Sequence, residues 1–197
     1  MANRAVRMIL VAVIVLVLLA MAAAAYYFAR VKPLIRAGKE QGVYSNLPER
    51  PPVGGFGFAA ESGPGKKIAD LRGKVVVVDV WATWCPTCIY TIPSIIALRN
   101  KYPAESVEII GLNVDDDGWA KAKPFLLKHP EINYTIALPS PAPSFLLQSI
   151  VDLKPLGEVS AIPTVFVIDR QGRLAGKFIE TGHEHEIDNL VASLLNE

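Results

Sequence analysis

The sequence predicts an α/β sandwich with a central insertion, preceded by one transmembrane helix. Three observations carry this expectation. Met8 to Ala29 contains no charged residue. Val75-Val76-Val77-Val78 is an apolar run of strand length that leads through Asp79 and Val80 to a proline-started helix pattern at Pro86. Further along, short β-branched runs alternate with amphipathic stretches of helical length. With 51% hydrophobic residues among 197, the chain can bury a full core after its N-terminal segment is set aside, and one globular domain accounts for the length.

Residues 1–31 read as a cytoplasmic tail and a transmembrane signal anchor. A helix of about 22 residues is about 33 Å long, enough for the hydrocarbon core, and Tyr26, Tyr27 and Phe28 suit its interfacial end. A cleavable signal peptide is the rival, since Ala20-Met21-Ala22 offers small-residue cleavage positions. The apolar run continues past them, which favours a retained anchor. Arg4 and Arg7 precede the span while Arg30, Lys32, Arg36 and Lys39 follow it, so charge counting alone does not orient it. Residues 32–52 carry Pro33, Gly38, Gly42, Pro48, Pro51 and Pro52 without a sustained period and read as a linker, leaving 53–197 as the folded domain.

Within that domain the valines before Asp79 suit a strand buried on both faces. Pro86 suits the first helical turn, where its fixed φ fits and its missing N–H is not needed; Pro93 falls inside the same helix and removes one backbone bond. Val107 to Val114 reads as a second buried strand, Trp119 to Lys128 as a helix ended by His129-Pro130, and Tyr134 to Ala137 as a short strand. A helix over Phe145 to Val151 follows the proline-rich loop Pro139 to Pro143. Val165 to Ile168 and Leu174 to Ile179 form an antiparallel pair across Asp169-Arg170-Gln171-Gly172. The final helix, Glu184 to Leu195, carries Ile187, Leu190, Val191, Leu194 and Leu195 on one face.

Cys85 and Cys88 are the chain's two cysteines. A C-x-x-C spacing places the second thiol one helical turn behind the first, so an exposed Cys85 can attack a partner disulfide and a buried Cys88 can resolve the mixed disulfide. Free amides and the dipole at the helix start lower the Cys85 thiol pKa. A structural zinc site needs four ligands, and the three histidines supply no recognisable second half. A purely structural disulfide gains little from so short a loop. Asp79, buried among valines, has its pKa raised and suits a proton acceptor for Cys88; a hydrogen-bonded structural aspartate is the alternative.

Trp81-Ala82-Thr83-Trp84-Cys85-Pro86-Thr87-Cys88 resembles the active-site segment of the thioredoxin superfamily. Within it, the chain is similar to the membrane-anchored TlpA/ResA-like thiol-disulfide oxidoreductases and to the DsbE/CcmG group of cytochrome c biogenesis. The resemblance extends from about residue 50 to the C-terminus, an ordinary single-domain length, and implies a thioredoxin-like sandwich. It places Asp79 where many thioredoxins carry a carboxylate beneath the dithiol, and Ile162-Pro163-Thr164 where a cis-proline loop faces the sulfurs. Ile162 and Pro163 would then contact a client chain paired as an extra strand, with Trp84, Pro86 and Thr87 completing the client surface.

The same resemblance implies a bacterial inner-membrane protein, single-pass, with its catalytic domain on the extracytoplasmic side. Its clients would be protein disulfides or dithiols, apocytochrome c among them, its electrons would come from a membrane thiol-disulfide donor, and the Cys85–Cys88 disulfide would be the redox group without a further cofactor. Two positions depart from the cytochrome-maturation pattern: Ile89 stands where a basic residue is common and Thr164 where glutamate is frequent. Disulfide oxidation or isomerisation is the alternative direction, because Pro86-Thr87 does not fix the redox poise. Copper delivery or redox partnership in oxidase assembly is a third reading, opposed by the confinement of methionine to Met1, Met8 and Met21.

Asp115-Asp116-Asp117-Gly118 lacks the alternation and the terminal glutamate of a calcium loop and reads as an acidic turn capping the next helix. By resemblance, Asp116 is the nearest match to an acidic residue close to the dithiol in ResA-like proteins. His183 and His185 do not share a helical face and read as solvated residues at a helix start, and no metal site is expected. A net charge of +1 gives no case for nucleic acid.

Overall fold

The computed structural model describes residues 13–17, 19–22, 25–26, 43–45, 49–140, 151–152 and 156–197. The chain divides into two compact units, Met1–Gln41 and Gly42–Glu197. In the first, residues 13–17, 19–22 and 25–26 are helical and exposed. Among the described residues no helix is long and apolar enough to cross a membrane, and most of the expected anchor lies outside them.

The second unit is built on a mixed sheet. Its strands are β1 (Val43–Ser45), β2 (Gly57–Ala60), β3 (Lys66–Lys67), β4 (Val75–Trp81), β5 (Val107–Asn113), β6 (Thr135–Pro139), β9 (Thr164–Ile168) and β10 (Leu174–Ile179), in the order β1-β10-β9-β4-β5-β6-β2-β3. A separate short pair, β7 (Val151–Asp152) with β8 (Glu158–Val159), comes between β6 and β9 in the chain. The helices are α1 (Pro86–Lys101), α2 (Trp119–Lys128) and α3 (Glu184–Leu195), with a 3-10 turn at Ile68–Leu71.

β4 is central. It pairs in parallel with β5 and antiparallel with β9, and all seven of its residues are buried. Burial on both faces explains a valine run without polar alternation. Val75 and Val77 pack with Ile95 and Leu98 of α1 and with Ile187, Leu190, Val191 and Leu194 of α3. Val76, Val78 and Val80 pack on the opposite core with Phe56, Phe58, Ile68 and Ile110, against which Phe125 of α2 also lies. Asp79 shares the parity of Val75 and Val77, hence the face on which α1 packs.

Two expectations need correction. The second half of the expected linker is built into the sheet: Val43–Ser45 pairs with β10, Pro52 bridges to Arg173, and Val53 N–H donates to the Gly172 carbonyl at 3.0 Å. Arg50 also reaches Asp169 at 3.4 Å and Glu197 at 2.7 Å. A short edge strand in a proline- and glycine-rich segment exists through its long-range partner, which local propensity does not register. The expected helix over Phe145 to Val151 mostly falls outside the described residues, and its last member, Val151, is paired with Val159 as a strand.

Candidate active site

β4 ends at Trp81, the chain turns through Ala82, Thr83 and Trp84, and α1 starts at Pro86, so Cys85 is the helix N-cap. The turn is fixed at both ends. Cys85 N–H donates to the Ala82 carbonyl at 3.2 Å, Ile89 N–H to the Cys85 carbonyl at 3.1 Å, and Val114 N–H to the Trp81 carbonyl at 2.9 Å. Cys85 and Cys88 are joined as a disulfide with Cα atoms 5.3 Å apart.

Cys85 Sγ accepts a hydrogen bond from Cys88 N–H at 3.1 Å and lies 3.3 Å from Thr87 Oγ1. A disulfide sulfur carries no hydrogen, so the hydroxyl is the donor in the second pair. For the same reason the 3.7 Å approach of Cys85 Sγ to the Ile162 carbonyl oxygen is a contact and not a hydrogen bond in this state. After reduction, the Cys88 amide and the Thr87 hydroxyl are placed to stabilise a Cys85 thiolate at the helix N-terminus.

Cys85 was expected to be exposed. It is only 3% exposed, against 1% for Cys88, whereas Trp84 is 67% exposed and Pro86 and Thr87 are exposed beside it. As the N-cap, its sulfur folds back onto the first amides of α1 and against Ile162, while its neighbours project. The accessible rim is therefore made by Trp84, Pro86 and Thr87.

The Ile162–Pro163 peptide is cis, as the resemblance implied. Ile162 is half-buried and Pro163 buried. The Pro163 carbonyl is occupied by Glu180 N–H at 2.8 Å. Thr87, Ile162, Pro163, Glu180 and Thr181 line a groove of about 250 Å³. The first three of these were expected from sequence; Glu180 and Thr181 were not. They arrive from the end of β10, and Glu180 adopts a φ of 67°, a left-handed backbone uncommon for a residue with a side chain. No local pattern signals that arrival.

Asp79 stands in register with Gly111 on β5 and Val165 on β9 and is 2% exposed. Its Oδ1 and the Trp81 Nε1 are buried without a hydrogen-bond partner among the described residues. Burial pushes the Asp79 pKa up to about 7. The Tyr134 hydroxyl is raised as well, first by burial and then by the Asp79 charge. Gly111 is needed here: a Cβ would meet Ile136 Cδ1 at 2.7 Å, Tyr134 Cε2 at 2.9 Å and Trp81 Nε1 at 3.2 Å.

The acidic turn behaves differently from expectation. Asp116 is exposed, and Asp115 reaches the active-site turn instead. Asp115, 4% exposed, accepts hydrogen bonds from Thr83 N–H at 3.1 Å, Thr83 Oγ1 at 3.0 Å and Asn113 Nδ2 at 2.7 Å. Nor does a carboxylate cap α2, whose N-cap is Gly118 without a side-chain hydrogen bond.

Residues 56–194 match the Redoxin family. The chain belongs to that family. Among curated relatives of this Redoxin-family chain, the thiol-disulfide oxidoreductase ResA of Bacillus cereus is 30% identical over 134 residues, covering 66% of this chain and 70% of the relative. The thiol:disulfide interchange protein DsbE of Pseudomonas aeruginosa is 29% identical over 137 residues, 65% of this chain and 64% of that protein. A solved structure of a DsbF homologue from Corynebacterium diphtheriae superposes with a TM-score of 0.61 at 24% identity, covering 78% of this chain and 93% of that one. A thioredoxin-family thiol:disulfide interchange protein from Chlorobium tepidum gives 0.57 at 24% identity, covering 75% and 97%. The thioredoxin-like α/β fold follows, and the chain is a thiol-disulfide oxidoreductase of the ResA/DsbE type.

Proposed function

We propose that the chain is a membrane-tethered, extracytoplasmic reductase of protein disulfides, resident in a bacterial inner membrane and acting in cytochrome c maturation, with apocytochrome c as a client. The observation that supports thiol-disulfide exchange is the Cys85–Cys88 pair at the α1 N-terminus, facing the Ile162 carbonyl across 3.7 Å. The uncharged stretch Met8 to Ala29 supports the tether.

In the forward reaction the reduced protein presents a Cys85 thiolate, which attacks one sulfur of the client disulfide and expels the other as a thiolate that takes up a proton. The Cys88 thiol then loses its proton to Asp79 and attacks Cys85 Sγ, releasing the client's second thiolate and closing the Cys85–Cys88 disulfide. Two electrons pass to the client, and a membrane dithiol donor returns two to the protein. A buried carboxylate with a pKa near 7 suits the proton transfer. Client backbone pairs at Ile162, and its side chains rest against Trp84, Pro86, Thr87 and Pro163.

Trapping tests the order of the cysteines. In the full-length chain, Cys88→Ser accumulates mixed disulfides with a model disulfide peptide, and Cys85→Ser accumulates none. Equal trapping in both variants would overturn the assignment of Cys85 as the attacking thiol.

A further inference from the structure

We propose that Asp115 is a positioning residue for the dithiol: its carboxylate grips Thr83 and thereby holds the turn that sets Cys85 Sγ over the first amides of α1. Between Trp81 and Cys85 the chain must leave a strand and enter a helix within a few residues. Its ends are tied by backbone bonds, Val114 N–H to the Trp81 carbonyl and Cys85 N–H to the Ala82 carbonyl. The middle of the turn is tied by Asp115, through Thr83 N–H at 3.1 Å and Thr83 Oγ1 at 3.0 Å.

The carboxylate is itself built in. It is 4% exposed, Asn113 Nδ2 donates to it at 2.7 Å, and Asp115 N–H donates to Asn113 Oδ1 at 3.2 Å. That second bond fixes which end of the Asn113 amide faces the carboxylate. Thr83 N–H and Asn113 Nδ2 can only donate to the Asp115 side chain, and the Thr83 hydroxyl donates to it as well, so the carboxylate ties the turn to the end of β5. Asparagine would keep this pattern, its oxygen accepting from Thr83 N–H and Asn113 Nδ2 and its NH2 donating to the Thr83 hydroxyl, so the grip is removed only by a side chain without a polar end, such as alanine. The sulfur gains from this rigidity, because Cys88 N–H meets it at 3.1 Å only while the turn keeps its shape, and preorganised amides stabilise a charge without moving.

A negative charge beside a thiolate acts in the opposite sense, since it would repel the charged sulfur. The donors already directed at Asp115 offset its field, and holding the turn is the effect that dominates. The two effects predict opposite outcomes. If Asp115 acted by repulsion, Asp115→Ala would make Cys85 more reactive; if it acts by holding the turn, the same variant makes it less reactive.

The proposal rests on the reading of Cys85 as the attacking thiol, but its main readout does not. Full-length protein is equilibrated with reduced and oxidised glutathione, and the reduced protein is alkylated with iodoacetamide at pH 7. Asp115→Ala and Thr83→Val are expected to shift the equilibrium toward the disulfide and to slow alkylation, by up to about tenfold for each unit that the thiol pKa rises. Thr83→Ser restores both, since its hydroxyl keeps the Asp115 bond. Wild-type equilibrium constants in Thr83→Val, or faster alkylation in a folded Asp115→Ala, would overturn the proposal. Thr83→Val retains β-branched volume and keeps the test decisive if the Asp115 variant does not fold. Failure of the cysteine order would show in the trapping experiment and leave this equilibrium unaffected.

Discussion

Replacing Asp79 by asparagine should make the oxidised protein more stable at neutral and alkaline pH, while slowing it as a catalyst. The native carboxyl has a pKa of about 7 against an ordinary 3.8, the cause being burial. Between those values the native state holds a proton that the unfolded state has lost, so stability falls as pH rises, by about 1.4 kcal/mol per pH unit. The full loss is about 4 kcal/mol, about a quarter or more of the stability of an ordinary domain. It begins near pH 3.8, is complete above about pH 7, and is absent below the lower value. Asparagine keeps the shape and carries no charge, so the variant should be indistinguishable from wild type in this respect at pH 4. It should gain several kcal/mol, up to about 4, by pH 8. Urea unfolding of both oxidised proteins at a series of pH values measures the difference directly. Parallel pH profiles for the two proteins, with no divergence between pH 4 and 8, would refute the assignment of a buried, strained carboxylate to Asp79.

The same substitution separates the chemical steps: single-turnover thiol exchange should show resolution by Cys88 slowed by about 10²-fold or more, with the initial attack by Cys85 changed far less. An unchanged resolution rate would return Asp79 to a structural role. Asp169 offers a test of the hub at the β9–β10 turn. Its buried carboxylate accepts from Gln171 N–H at 3.0 Å, Arg173 N–H at 2.9 Å and Arg173 Nε at 2.8 Å, and it also receives Arg50 from the stretch expected as linker. Asp169→Ala strands the two backbone donors and should cost roughly 2–4 kcal/mol in denaturant unfolding, and a loss below 1 kcal/mol would contradict that account.

The parts legible in sequence are those whose local pattern and tertiary role agree. The valine run of β4 announces burial on both faces, Pro86 marks the first turn of α1, and the spacing of Ile187, Leu190, Val191 and Leu194 marks the buried face of α3 over the observed Glu184–Leu195. The β9–β10 pair was legible through its β-branched runs and its Gly172 turn. What was missed depends on distant partners. β1 is a strand because β10 lies beside it, and β2 and β3 complete the far edge of the sheet through β6. Asp115 and Asp116 are neighbours of the same chemical type, and only the path of the chain after β5 decides which one turns inward to Thr83. Glu180 and Thr181 join the groove because β10 ends beside the Ile162–Pro163 loop, a long-range adjacency that the sequence near Cys85 does not encode. Spacing also identified the reacting pair and the burial of Cys88 but misjudged the exposure of Cys85, since N-cap geometry folds its sulfur inward.

The central claim is that the dithiol of this chain donates electrons to client disulfides. Its most direct test is the reduction potential of the full-length protein, equilibrated in dithiothreitol redox buffers and read by alkylation of the free thiols. A potential near that of thioredoxin, about −270 mV, is the predicted result; one near about −120 mV, the range of a disulfide-forming oxidant, would contradict it.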